Sequence, residues 1–226
     1  MRTALLALLL AVACASATAK PVCRQGLSEE AAGAARVIGF PLYLPQSLTG
    51  NRSRRVEARI PDEVEFATRP ELALQMIRRA MGAGVPRGVV LADCGHGGGA
   101  DFRAGLRDPG LDYAVEANAT TNVRRVGRDG VCRGKNQHLN TLALQLKKEG
   151  GFRRCTWRQG SRHARSASFA RVRVQVGNEE QATLLIEWRD HEPAPANYFL
   201  VSMAKLPAPT KQLVRLVMQR WRTIDR

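Results

Sequence analysis

Residues 60–97 constrain the fold more than any other part of this sequence. Apolar residues recur at helical spacing over residues 71–81, which predicts an amphipathic helix. Glycines and Pro86 end that helix, and residues 89–92 form a short apolar run typical of a strand buried on both faces. Asp93 follows directly and leads into a glycine-rich turn. This order predicts an α/β domain with Asp93 at the carboxyl end of a buried strand, where open α/β sheets bind ligands and metals.

The second half of the sequence is richer in short alternating segments. Strands are predicted over 153–158, 169–176, 182–188 and 197–203, and a short amphipathic helix over 139–148. In the second strand the alternation places Arg171 and Arg173 on one face of a sheet and valines on the other. Trp157 and Trp188 are predicted to be packing residues. Residues 120–137 are polar, basic and glycine-bearing, which indicates a loop or partly ordered linker.

Positive charge is concentrated in that second half. The formal net charge is +15; residues 1–119 hold 14 Lys and Arg against 12 Asp and Glu, and residues 120–226 hold 21 against 8. Such an excess suits a phosphate backbone, because binding releases counterions and weakens as salt rises. An arginine-rich genome, which places arginine wherever a solvated cation is tolerated, explains the same composition. Both explanations stay open at this point.

Several of these segments resemble, in order, the DDE-superfamily endonuclease core of bacterial insertion-sequence transposases. The resemblance extends over about residues 37–222. Its segments are 42–45 (LYLP), 61–74, 83–97 (AGVPRGVVLADCGHG), 103–113, 156–162 (TWRQGSR), 168–174, 184–188 (LLIEW) and 213–222. The ordered set of segments carries the resemblance, since no single segment is specific alone.

The resemblance implies an RNase H-like fold in which three carboxylates hold two divalent ions, Mg²⁺ or Mn²⁺. These ions activate water or a 3′-hydroxyl against a DNA phosphate, and Mg²⁺ prefers oxygen ligands. Asp93 aligns with the second aspartate of the family, which implies that Asp93 is a catalytic metal ligand. On spacing alone, the alternative is that Asp93 merely caps the turn into the next helix.

The other two ligands depart from the family pattern. The family's first aspartate lies well upstream of residues 42–45, but the first aspartate here is Asp62, so this ligand is expected to be missing. The third ligand is a glutamate that follows an Arg-Trp pair on the last helix. Here Asp225 stands near that position, one methylene shorter and shifted by one residue, which rotates a helical position by about 100°. The expectation is a truncated, catalytically inactive remnant that does not bind Mg²⁺ productively.

The predicted fold class is therefore α/β, an incomplete RNase H-like domain interrupted by a β-rich insertion subdomain. The predicted divisions are an unmatched or signal-like start (1–24), a partial core (25–119), a basic linker with the β-rich insertion (120–205) and a C-terminal helix of the core (206–226). The expected partners are DNA and an intact transposase subunit. The candidate DNA-contacting residues are Arg171, Arg173, Arg220 and Arg222.

The amino terminus and one histidine leave further alternatives. Residues 1–19 have the composition of a secretory signal peptide, and their apolar run at 4–13 is shorter than the ~20 residues that a stable membrane span needs. The family predicts a cytoplasmic, nucleoid-associated protein, whereas this start predicts a secreted basic binding protein. A non-catalytic DNA-binding module is the third hypothesis. His96, where the family commonly carries tyrosine, is predicted to be a solvated turn residue.

Overall fold

The computed structural model describes residues 13–16, 35–37, 43–158, 165–178, 180–203 and 208–219. The strands are β1 (Ala13–Ser16), β2 (Ala35–Val37), β3 (Gly88–Ala92), β4 (Tyr113–Glu116), β5 (Asn122–Val126), β6 (Cys132–His138), β7 (Phe152–Arg158), β8 (Arg165–Val176), β9 (Glu180–Trp188) and β10 (Asn197–Ser202). The helices are α1 (Gln46–Thr49), α2 (Arg52–Glu57), α3 (Arg69–Gly82), α4 (Cys94–Gly97), α5 (Ala100–Arg107), α6 (Leu139–Lys148) and α7 (Thr210–Met218). The expected mixed α/β class is confirmed.

All described strands belong to one mixed sheet. Its order is β2-β1-β3-β4-β10-β9-β8-β5-β6, and β7 pairs with β8 beside this path. Strands β3 and β4 are parallel, whereas β4 pairs with β10 in antiparallel register. The strands that the sequence assigns to an insertion therefore continue the same sheet that carries Asp93.

Helix α3 forms where the periodicity predicts it, and its start has a clear chemical cause. The Thr68 hydroxyl accepts from the Glu71 backbone N–H while the Glu71 carboxylate accepts from the Thr68 backbone N–H, which is a capping box. Pro70 stands in the first turn, where a missing N–H costs nothing. Ala73, Met76 and Ile77 are buried. The helix begins at Arg69, two residues before the predicted start.

Helices cover the two faces of the sheet unequally. One apolar cluster joins the sheet to α3, α5 and α6, with Phe102, Leu106 and Leu142 almost fully buried. A second, smaller cluster on the other face joins Leu91, Ala114 and other strand residues to α7. The α7 face therefore has only one helix among the described residues to cover it.

Residues 120–137 correct one sequence prediction. The expected loop or linker instead contains β5 and most of β6, which pair as an antiparallel hairpin, and β5 also pairs with β8. Val123 and Val126 are buried and hold β5 to the core, although the local composition is polar. Pairing with a strand about 50 residues away in the chain thus overrides a local turn signal.

Strand β8 also differs in detail from its prediction. The strand begins at Arg165, and Val174 and Val176 are buried while Arg171 and Arg173 are exposed, as the alternation predicts. Phe169 nevertheless lies on the same face as the arginines, where the α7 cluster buries it and Trp157 packs edge-on against its ring. Trp188 is buried in the other cluster. Both tryptophans are packing residues, as predicted.

The last residue of the amino-terminal apolar run, Ala13, begins a strand of the sheet. Strand β1 lies between β2 and β3 and pairs antiparallel with both. The rest of residues 1–24 lies outside the described residues. Within the described ranges, no helix combines the length and the apolar character needed to cross a bilayer.

Candidate functional site at the carboxyl end of β3

Asp93 directly follows the buried residue Ala92, at the edge of the sheet that the carboxyl ends of β3 and β4 form. Its side chain is 54% exposed. The parallel register pairs Ala92 with Val115, so the next residues along the two strands, Asp93 and Glu116, lie level with each other. Glu116 is half-buried at the end of β4. Two acidic residues on neighbouring parallel strands therefore stand at the same edge.

The structure bears on the alternative that Asp93 caps the next helix. Asp93 occupies the N-cap position of α4 with extended backbone, but its side chain makes no capping hydrogen bond to that helix. The ring of His96 is a partner of this carboxylate, since its Nδ1 lies 2.7 Å from Asp93 Oδ1. Because a carboxylate only accepts, Nδ1 carries the proton and donates it. The carboxylate is thus held by a side chain and does not act as a helix cap.

His96 differs from its prediction as a solvated turn residue. Its side chain is only 12% exposed. Its Nε2 atom is buried and has no hydrogen-bond partner in the described part of the protein. The ring lies 6.4 Å from the Phe102 ring, which belongs to the core. Packing against the core fixes the imidazole, and the imidazole in turn orients one oxygen of Asp93.

The turn after Asp93 needs glycine for steric reasons. A Cβ on Gly98 would lie 2.9 Å from the Cys94 carbonyl oxygen, closer than real Cβ atoms approach backbone. The carbonyl oxygens of Gly98 and Gly99 each accept a hydrogen bond of 3.2 Å from Arg103 Nη1. The glycine-rich sequence therefore allows a tight turn, and Arg103 holds it in place.

Arg103 belongs to a buried ionic network that joins the turn to the sheet. Its Nε atom donates to both carboxylate oxygens of Glu180 at 2.9 Å, and both residues are buried. The Tyr113 hydroxyl also donates to Glu180, and Arg107 Nη1 lies 3.2 Å from the same carboxylate. The network connects α5, β4 and β9 with the turn that follows Asp93.

Burial, followed by the hydrogen bond to the Glu180 carboxylate, raises the pKa of the Tyr113 hydroxyl to about 12. The phenol therefore stays protonated throughout the physiological range and remains a hydrogen-bond donor to Glu180. Tyr113 is completely buried, so ionising it would place a second negative charge beside Glu180 inside the core.

The donors at this edge do not fit the three-carboxylate, two-ion centre of the family. Asp93 and Glu116 are oxygen ligands of the kind that Mg²⁺ prefers. Strand β1, on the other side of β3, has the sequence Ala-Cys-Ala-Ser and contributes no carboxylate. Across the described ranges, no group of three His, Cys, Asp or Glu side chains is arranged to hold a metal ion.

The remaining predicted site residues lie away from this edge or outside the described ranges. Arg171 Nη1 donates to the Ala208 carbonyl at 2.7 Å, and Arg173 Nη2 donates to Gln181 at 3.1 Å. Both arginines lie on β8, and three strands lie between β8 and β3 in the sheet order. Arg220, Arg222 and Asp225 lie outside the described residues.

Sequence reasoning missed Glu116, Arg103 and Glu180. Glu116 carried the same signal as Asp93, an acidic residue that ends a short apolar strand, and that signal was available. Arg103 and Glu180 are far apart in the chain, and no local pattern marks a buried ion pair between them.

A mixed sheet with helices and an exposed carboxylate at the end of a buried parallel strand is consistent with a nuclease-type domain. The model of the family described as DDE superfamily endonuclease matches residues 20–164. The chain belongs to this family, which supports a nuclease- or transposase-like function with DNA as the substrate. The family commonly uses divalent metals. A comparison with curated proteins finds no match.

Proposed function

We propose that this chain is an insertion-sequence transposase polypeptide that binds DNA but does not cleave it by itself. The observation that carries the proposal is the position of Asp93. The aspartate follows β3 at the sheet edge, its side chain is 54% exposed, and it bonds to His96 instead of capping α4. An exposed carboxylate after a buried strand agrees with the role that the resemblance implies for Asp93, the family's second metal-binding aspartate, and so supports the proposal.

The neighbourhood of Asp93 supports the loss of cleavage. A two-ion centre needs several oxygen ligands that converge on both ions. Of the two strands that flank β3, β4 supplies Glu116 and β1 supplies no acidic side chain. The described strands at this edge thus offer two acidic residues where the family chemistry uses three carboxylates, which supports a chain that does not cleave DNA by itself.

Two assays on the purified chain test the proposal. Supercoiled plasmid is incubated with Mg²⁺ or Mn²⁺ and the chain or its Asp93→Ala variant, and nicking is scored on a gel. We expect no nicking by either protein. Nicking by the unaltered chain that the variant lacks would overturn the claim that cleavage is lost.

Binding to duplex DNA is measured in parallel over a salt series. The net charge of +15 predicts binding at low salt that weakens steeply as salt rises. Absence of binding at low salt, or binding insensitive to salt, would overturn the DNA-binding half of the proposal. Mixing the chain with an intact transposase then tests the second proposed partner, with slower transposition as the expected result.

A secreted basic binding protein is the alternative, favoured by the signal-like composition of residues 1–19. The two functions predict different places in the cell, since a transposase polypeptide works in the nucleoid. Amino-terminal sequencing of the cellular product distinguishes them. An intact Met1 supports the transposase assignment, and a start after residue 19 supports export.

A further inference from the structure

We propose that the hairpin formed by β5 and β6, residues 122–138, is the surface that contacts the phosphate backbone of duplex DNA. This basic hairpin was expected to be a linker, and the sequence prediction placed the DNA contacts on other arginines. The inference rests on the proposed DNA-binding function and assigns that function to a place in the fold.

The charges of the basic hairpin are largely uncompensated. Its single acidic residue, Asp129, forms an ion pair of 2.9 Å with Arg133. Arg125 pairs with Glu149 at the end of α6. Arg124, Arg128 and Lys135 are exposed, and their side chains make no ion pair or hydrogen bond with another residue in the described ranges. Three cations are therefore available to an external anion.

Three arginines of β7 and β8 provide a contrast. Arg154 pairs with Asp190 at 2.7 Å and also donates to Ser166. Arg171 donates to the Ala208 carbonyl, and Arg173 to Gln181. Each of these three guanidinium groups already has a partner within the molecule.

The position of the basic hairpin makes it accessible. Strand β6 ends the sheet, so one of its edges has no described neighbour. Four successive residues, Arg133 to Asn136, are exposed, which leaves both faces of the strand open. The register with β5 shifts between Val123 and Arg125, and Gly134 has a φ of +76° in the partner strand, which marks a bulge.

The length of the basic hairpin suits a duplex. Strand residues rise by about 3.4 Å each, so the basic hairpin is about 15 Å long. Duplex DNA carries one negative charge per ~1.7 Å of its axis, so several phosphates lie within that length.

A charged edge strand has another physical role, which is to prevent edge-to-edge aggregation. That role depends on the presence of charge and requires no ligand. The two roles differ in their response to neutral substitutions, because only a phosphate contact contributes to the salt dependence of DNA binding.

The test compares two triple variants with the same change in net charge. One is R124Q/R128Q/K135Q in the basic hairpin, and the control is R52Q/R54Q/R78Q, whose arginines are exposed on α2 and α3. Binding to a fluorescein-labelled random-sequence duplex is measured by anisotropy over a salt series. Each lost phosphate contact lowers the slope of log Kobs against log salt by ~0.9, so the hairpin triple is expected to lower it by about 2 to 3. The control is expected to leave it within the error of the unaltered chain.

Equal slopes for the two triples would overturn the assignment of the contact surface while leaving the DNA-binding function intact. Failure of the unaltered chain to bind at low salt would overturn both together. Thermal melts followed by circular dichroism check that the variants fold. If the hairpin triple does not fold, the single variant Lys135→Gln gives the same test with an expected slope change of ~0.9.

Discussion

Asp93 and Glu180 are two carboxylates of the same sheet with opposite environments. The Asp93 side chain is 54% exposed and bonds to one histidine, whereas the Glu180 side chain is 5% exposed and contacts Arg103, Arg107 and Tyr113. An exposed carboxylate contributes little to folding and is open to a ligand. A buried carboxylate with several partners holds elements together, and removing it leaves those partners unsatisfied.

Arg103 connects the two environments. It bonds to Glu180 through Nε and to the carbonyls of Gly98 and Gly99 through Nη1, and those glycines follow Asp93 in the same turn. The exposed site at Asp93 therefore depends on the buried network around Glu180. The turn that presents Asp93 is fixed by a charge pair whose partner lies on β9.

The largest expected effect comes from Glu180→Ala. Removing one partner of a buried ion pair costs about 3–5 kcal/mol, because Arg103 stays buried without its counter-charge. Urea unfolding measures the loss. Glu149→Ala is the matched control, since Glu149 is half exposed and pairs with Arg125, and we expect it to cost less than ~1 kcal/mol. Similar losses in the two variants would contradict the distinction between buried and exposed carboxylates.

Alkaline pH weakens the same network. The pKa of Tyr113 rises from 10 in the unfolded chain to about 12 in the fold, mainly through burial. The phenol's contribution is therefore fully present below pH 10 and is lost as pH rises towards 12. A shift of this size corresponds to roughly 2–3 kcal/mol. We expect the free energy of unfolding to fall over this interval.

Tyr113→Phe isolates that contribution. The variant should show a smaller loss of stability between pH 10 and 12 than the unaltered chain. Burial also raises the pKa of Tyr198, so some alkaline loss remains in the variant. If the free energy of unfolding depends on pH in the same way in the variant and in the unaltered chain, the titration of Tyr113 between pH 10 and 12 is contradicted.

An intermediate effect is expected from Thr68→Ala at the start of α3. Glu71 is exposed, and its pKa is lowered first by the Thr68 backbone N–H and then by the Thr68 hydroxyl. The substitution removes the hydroxyl half of the capping box and should cost ~1 kcal/mol. Thr68→Ser keeps the hydroxyl and should restore most of the stability in urea unfolding. Equal losses in both variants would argue against capping as the cause.

The smallest effect is expected from Asp93→Asn. The substitution keeps the shape of a half-exposed side chain that caps no helix, so the free energy of unfolding should change by less than about 0.5 kcal/mol. Thermal and urea unfolding provide the measurement. A loss comparable to that of Glu180→Ala would mean that Asp93 is mainly a structural residue.

The local elements were predictable where the stabilising contacts are local. Helix α3 follows from its apolar period and its end signals, and α6 has the predicted bounds Leu139–Lys148. The sequence predicts strand β3 to within one residue, because a short apolar run between residues that break secondary structure rarely forms any other element. The position of Asp93 followed from that strand.

The remainder depends on contacts between distant residues. Strands β5 and β6 have a polar local sequence, and β5 is held by pairing with β8. The pair Arg103–Glu180 joins residues that no periodic pattern relates. The sequence predicts His96 to be a solvated turn residue, yet the core residue Phe102 from the next helix packs near it. Local patterns in a single sequence carry no information on these contacts between distant residues.

The pairing of β4 with β10 has a consequence for synthesis. Glu116 lies opposite Phe199 at the centre of the sheet, so β4 lacks its inner neighbour until β10 has left the ribosome. At ~5–20 residues per second, the intervening stretch of about 80 residues takes several seconds to make. During that interval the apolar residues Ala114 and Val115 border an open strand edge. The nascent chain therefore passes through an interval in which it depends on chaperones or on fast completion of the sheet to avoid association.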